Sequence, residues 1–170
     1  MQQIAKLATI VAICLGVFAT PAQAQWYQVE NRDGCSAERT YEDGVQLTMW
    51  VRKDVERASL SLWSHQWSSI VQDRTYPMRL EFEGGLKFDV SATGMVVSQT
   101  DENSASYGTL MYFRDMIVVG ALSQASHVTI WRGENLVGRF SLSGSRAALE
   151  DIARCAGRMQ ARVARDPFAE

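Results

Sequence analysis

The chain has 170 residues, 46% of them hydrophobic, which suits one globular domain with its own core. Its 17 Lys and Arg against 19 Asp and Glu give a net charge of −2, no field for gathering nucleic acid or anionic lipid. With 2 histidines and 3 cysteines in all, there is little material for a zinc site, which needs three or four protein ligands.

Residues 1–24 read as a cleavable export leader. Lys6 precedes an apolar run from Leu7 to Ala19, and Thr20-Pro21-Ala22-Gln23-Ala24 places small residues at the two positions a signal peptidase reads. Cleavage is expected between Ala24 and Gln25. The run is shorter than the roughly 20 residues that cross a bilayer, and Ile13, not a small residue, precedes Cys14, which argues against a lipidated cysteine. Cleavage would leave 146 of the 170 residues, with Lys6 gone and a net charge of −3. The expectation is a single domain over 25–170, without an integral membrane segment, in the periplasm or secreted from a Gram-negative bacterium.

Period-two alternation dominates from Trp26 to Val90. VQLTMWV sets Val45, Leu47, Met49 and Val51 against Gln46, Thr48 and Trp50, and ASLSLW sets Leu60 and Leu62 against Ser59, Ser61 and Trp63. Met78, Leu80 and Phe82 alternate with polar residues up to Gly84-Gly85, and Leu86, Phe88 and Val90 resume the pattern. Two such runs joined at Gly-Gly predict a hairpin, because tight hairpin turns demand positive φ. One face of this sheet is expected to be wet.

The stretch 98–108 is polar and rich in turn formers, so it reads as a loop; its Asp101-Glu102-Asn103 patch lacks the alternating ligands and distal glutamate of a calcium loop. Residues 112–125 read as a short helix from the spacing of Phe113, Met116, Ile117 and Ala121, although the β-branched run Ile117-Val118-Val119 is equally compatible with strand. Residues 127–142 predict a second hairpin turning at Gly133-Glu134-Asn135. SGSRAALEDIARCAGRM then begins a helix, with Ser143 or Ser145 as its cap and Leu149, Ile152, Ala156, Met159 and Val163 as its apolar stripe. Arg154, Arg158, Arg162 and Arg165 take the other face, with Glu150 spaced to pair with Arg154.

Cys35 and Cys155 remain after cleavage. Two cysteines in a domain outside the cytoplasm are expected to pair, which would fasten the C-terminal helix to the start of the fold. No Cys-x-x-Cys spacing supports a redox role.

Neither histidine sits in a metal or nucleophile motif, and no dinucleotide or phosphate fingerprint is present; no cofactor, metal or catalytic residue is expected. The candidate binding surface is Trp63, His65 and Trp67, where clustered aromatics meet Ser64, Ser68, Ser69 and Asp73. Trp26 and the stretch FSLSGSRAAL at 140–149 resemble the invasion-associated locus B family of small exported bacterial proteins. The likeness implies an envelope or surface protein without known catalytic residues, although the closely spaced central cysteines of that family are missing here.

The fold expected is α+β: an antiparallel, partly curled sheet of roughly six to eight strands carrying a C-terminal amphipathic helix and the short helix at 112–125. The function expected is a non-enzymatic interaction protein that binds a protein or envelope component. One alternative is a carbohydrate- or peptidoglycan-binding module stacking sugars on Trp50, Trp63 and Trp67. Another is a hydrolase using His65 with a nearby serine or aspartate.

Overall fold

The computed structural model describes residues 25–52, 58–97, 105–114 and 116–163. The leader at 1–24, the Asp101-Glu102-Asn103 patch, the Val163 side chain, Arg165 and Pro167 lie outside the described residues. Nine strands form one antiparallel sheet: β1 (Tyr27–Asn31), β2 (Gly34–Thr40), β3 (Gln46–Arg52), β4 (Ala58–Ser64), β5 (Thr75–Phe82), β6 (Lys87–Val97), β7 (Ser106–Phe113), β8 (His127–Arg132) and β9 (Asn135–Ser141). Helix α1 (Met116–Gln124) separates β7 from β8, and α2 (Ser145–Val163) follows β9. Along the sheet the order is β1-β2-β3-β4-β7-β6-β5-β8-β9, with β1 and β9 at open edges.

The architecture is the α+β arrangement the sequence suggested, with more strands. The β1–β2 hairpin turns where the Asn31 side chain accepts bonds from the amides of Asp33 and Gly34, at 3.0 and 3.1 Å, a local turn device of asparagine. β7 runs through the end of the stretch read as loop and the start of the stretch read as helix. Its place between β4 and β6 turns Thr109, Met111 and Phe113 inward. The β5–β6 hairpin turns at Gly84 and Gly85, with φ of 98° and 93°, and Gly133, φ 58°, turns β8 into β9.

Register decides which side chains share the inner face. Leu47 pairs with Leu62 and Met49 with Leu60, Leu60 with Met111, and Leu80 with Phe88 and Ile130; most of these are fully buried. The outer face departs from expectation at β4, where Ser59 and Ser61 are buried too. Trp63 covers this part of the face, its Nε1 donating to Ser61 Oγ at 3.0 Å.

The sheet curls until its two ends meet through side chains. The Tyr41 and Phe140 rings lie 5.1 Å apart, and the Tyr41 hydroxyl donates to the Ser141 carbonyl at 2.7 Å. Arg39, 7% exposed, lies between the rings of Trp26 and Tyr41 and donates to the Ser143 carbonyl at 3.1 Å. Trp26 Nε1 reaches the same carbonyl at 2.9 Å.

Helix α2 covers β1, β2 and β3 with Ala148, Ile152, Cys155 and Ala156 buried. Its start corrects the serine-cap reading. The Ala148 amide bonds the Gly144 carbonyl at 3.1 Å, and the Ser145 hydroxyl, 2% exposed, donates at 2.6 Å to the Leu122 carbonyl. Leu122 lies in the last turn of α1, whose carbonyls lack intrahelical donors, so the serine joins two helix ends. Arg154 pairs with Asp151 instead of Glu150, and Arg162 pairs with Glu30 on β1 at 3.0 Å. A disulfide joins Cys35 on β2 to Cys155, with Cα atoms 6.1 Å apart across 120 residues of chain.

Candidate functional site

The connection from β4 to β5, residues 65–74, folds over the inner face at one end of the curl. Asp73 turns it with φ 61°, a conformation aspartate tolerates better than most residues. The Asp73 amide bonds the Gly94 carbonyl at 2.9 Å, the Gly94 amide returns a bond to the Arg74 carbonyl at 2.8 Å, and the Val96 amide reaches Gln72 Oε1 at 2.7 Å. The Val71 amide donates to the Tyr76 hydroxyl oxygen at 2.9 Å. Gly94 makes the crossing possible, since a methyl there would overlap the Val71 carbonyl oxygen and crowd the Tyr76 ring. Trp67 and Ile70 of this flap pack against the core.

Under the flap lies a cavity of about 260 Å³, with Trp67, Ile70, Tyr76 and Met78 among its apolar walls. Thr109 also lines it; its hydroxyl has no hydrogen-bond partner although the residue is only 6% exposed. Among the described residues of the lining, Arg132, itself exposed, is the one charged side chain.

The residues singled out in sequence do not form one surface. Trp63 lies on the outer face against Gly108, where an added methyl would come within 2.5 Å of its ring. Trp67 lies on the inner side. Trp50 pairs with Ser59 while Trp63 pairs with Gln46, so these two indoles share the outer face at opposite ends of β3. His65 is exposed in the turn after β4, its Nδ1 3.2 Å from the Ala105 carbonyl and 3.4 Å from Ser106 Oγ. A ring N–H donating to that carbonyl cannot also take a proton from the serine. His127 Nδ1 sits 3.0 Å from Ser126 Oγ and 3.8 Å from Glu83.

Among the described residues two titratable groups stand clearly off their usual values, and both belong to structural contacts. Burial pushes the Tyr41 phenol up to about 12, against the lowering effect of Arg39. The hydrogen bond from Lys87 holds the Glu81 carboxyl below its usual range, with Arg79 and Trp131 Nε1 also beside it at 3.1 and 3.2 Å. Among the described residues no group of three or more histidines, cysteines and carboxylates converges, and no helix is long and apolar enough to cross a membrane.

A second feature carried no signal in the sequence. Leu86, Met116 and Ile117 are 51%, 71% and 59% exposed, and a groove of about 430 Å³ runs between the β5–β6 turn and α1, lined by Leu86, Ile117, Gly120 and Ala121. An added methyl at Gly120 would meet nothing within 4 Å, so small helix residues leave the groove open.

No protein-family model, curated protein or solved structure matches this chain.

Proposed function

We propose that the protein is an exported, non-enzymatic binding protein that docks another protein or an envelope component on the corner between the β5–β6 turn and α1. The observation that carries this reading is the pair of large apolar side chains Leu86 and Ile117, more than half exposed and lining an open groove, with Met116, also more than half exposed, next to Ile117 in the chain. Exposed apolar surface that is gathered in one place and rimmed by polar residues is the surface feature that marks interaction sites. The Cys35–Cys155 disulfide is in keeping with an oxidising compartment, as is the resemblance to the invasion-associated locus B family. The position of His65, exposed and turned to a backbone carbonyl, lends a hydrolase no support. Trp63 and Trp67 on opposite faces do not make the row of indoles that sugar stacking needs.

The test compares material recovered with the tagged wild-type protein and with Ile117→Ser, Gly120→Leu and the distant control Val71→Ser. Gly120→Leu fills the groove and improves helix propensity, so its effect is not one of unfolding. One species lost with both groove variants and kept with the control is the expected result. Identical recovery with all four proteins overturns the docking corner.

A further inference from the structure

β9 stands last in the order of strands, so one side of its backbone has no neighbouring strand. The bond from the Leu142 amide to the Ser126 carbonyl, 2.7 Å, fixes which groups face that side. Antiparallel pairing alternates, so Phe140 and Gly138, opposite Val128 and Ile130, turn their backbone groups toward β8 as Leu142 does. Ser141 and Arg139 turn theirs outward. The Ser141 carbonyl accordingly meets the Tyr41 hydroxyl. Among the described residues no loop, turn or side-chain hydrogen bond takes up the outward amide and carbonyl of Arg139.

A cavity lies along this edge. Asn135, Leu136 and Val137 of β9 line the space under the 65–74 flap. Successive strand residues point to opposite faces, so a cavity that touches three in a row borders the strand's margin as well as its inner face. Trp67, Ile70 and Tyr76 stand across from them. A cavity of about 150 Å³ lined by apolar side chains takes up benzene, so about 260 Å³ holds one large apolar side chain. An open strand edge with such a cavity beside it is how sheets take up extended peptides: backbone hydrogen bonds supply affinity and the pocket selects a residue.

Charge narrows the partner. Arg139 is the sole charged residue of β9; it is exposed, and no ion pair among the described residues engages it. Its register partner Thr129 alternates with the buried Val128 and Ile130, which puts Arg139 on the outer face, away from the flap. A peptide residue facing Arg139 is therefore an odd number of positions from the one that enters the cavity. The other open edge, β1, lacks this combination, because Gln28 and Glu30 are engaged by Asp151 and Arg162 of α2.

We infer that β9 takes up an extended peptide as a further strand, one that places a large apolar side chain in the cavity under the flap and, an odd number of positions away, a carboxylate against Arg139. This surface shares no lining residue with the groove beside α1.

Fluorescence anisotropy tests this on the oxidised protein. The probe is a terminally blocked, dye-labelled peptide of alternating threonine and valine with one central phenylalanine and an aspartate next to it. Saturable one-to-one binding is expected, weakened about tenfold or more when alanine replaces the phenylalanine. Methylating every second peptide amide should abolish binding in one phase of the alternation and spare it in the other, because one side of an added strand faces β9. Arg139→Gln should cost about two- to fivefold and remove the preference for aspartate over asparagine. Leu136→Ser, at a position 57% exposed, should weaken the phenylalanine peptide and not the alanine peptide. Hydrogen exchange at the Arg139 amide should slow on binding, and Gly120→Leu should change none of these results. Absence of saturable binding overturns the inference, as does binding that survives the alanine peptide and both methylated peptides. Protection at β1 or beside α1 in place of Arg139 also overturns it. So does Arg139 protection that rises with the concentration of the protein alone, which would assign the edge to a second copy.

Discussion

Removing the Cys35–Cys155 link, by Cys35→Ala/Cys155→Ala or by a reductant, tests how the terminal helix is held. The two residues are 120 apart in sequence, and the loop-closure entropy released to the unfolded chain is about 5 kcal/mol at 25 °C. Measured values fall below this when the unfolded chain retains structure, so a loss of about 3–5 kcal/mol is expected. For a domain of this size, each kcal/mol lowers Tm by about 3 °C, which puts the drop at about 10–15 °C. Cys35 and Cys155 are 1% and 6% exposed, so the double alanine variant also loses packing. Reduction of the wild type preserves side-chain volume and isolates the covalent contribution. Thermal unfolding followed by circular dichroism, oxidised against reduced, reads the difference. A change below about 2 °C on complete reduction would refute the claim that this link restrains the unfolded chain over its full separation.

Other substitutions test particular contacts. Ser145→Ala strands the Leu122 carbonyl and should cost about 1–3 kcal/mol in urea unfolding; an unchanged midpoint means that water or another donor replaces the serine. Gly94→Ala pushes a methyl into backbone at Val71, so a loss of about 1–3 kcal/mol and faster proteolysis within 65–74 are expected. Full retention of both stability and resistance would show that the flap does not cross there. Tyr41 has a folded-state pKa of about 12, above its ordinary 10.0. Its contribution is therefore complete below pH 10 and is lost as pH rises toward 12. The stability advantage of wild type over Tyr41→Phe should shrink across that window, and parallel profiles would contradict the assignment.

Legibility in the sequence followed the strength of local pattern. The two hairpins turning at Gly84-Gly85 and Gly133 were visible because alternation and positive-φ glycines agree. Helix α2 was visible because its stripe is long, and the disulfide because just two cysteines, Cys35 and Cys155, follow the run read as a leader. β7 was obscured because its run Ser106–Phe113 contains no charged residue to mark an outer face, and a strand between two others need not show one. The capping of α2 was misread because the carbonyl that Ser145 serves belongs to Leu122, brought there by the path of α1 and β8.

The candidate site was legible only in part. Trp67 was singled out and does line the cavity, but Thr109, Arg132 and Tyr76 come from β7, β8 and β5 and meet only through curl and register. The apolar corner depends on exposure at Leu86, Met116 and Ile117, which no periodicity reveals, since the same residues read equally well as core.

The claim on which the account rests is that this chain works outside the cytoplasm as a sulfur-linked binding scaffold. Its most direct test is the intact mass of the protein from extracytoplasmic fractions, alkylated without prior reduction. The account predicts a chain beginning at Gln25 that carries no alkyl group. A chain retaining residues 1–24 and found only in the cytosol, or one alkylated at both Cys35 and Cys155, would contradict it.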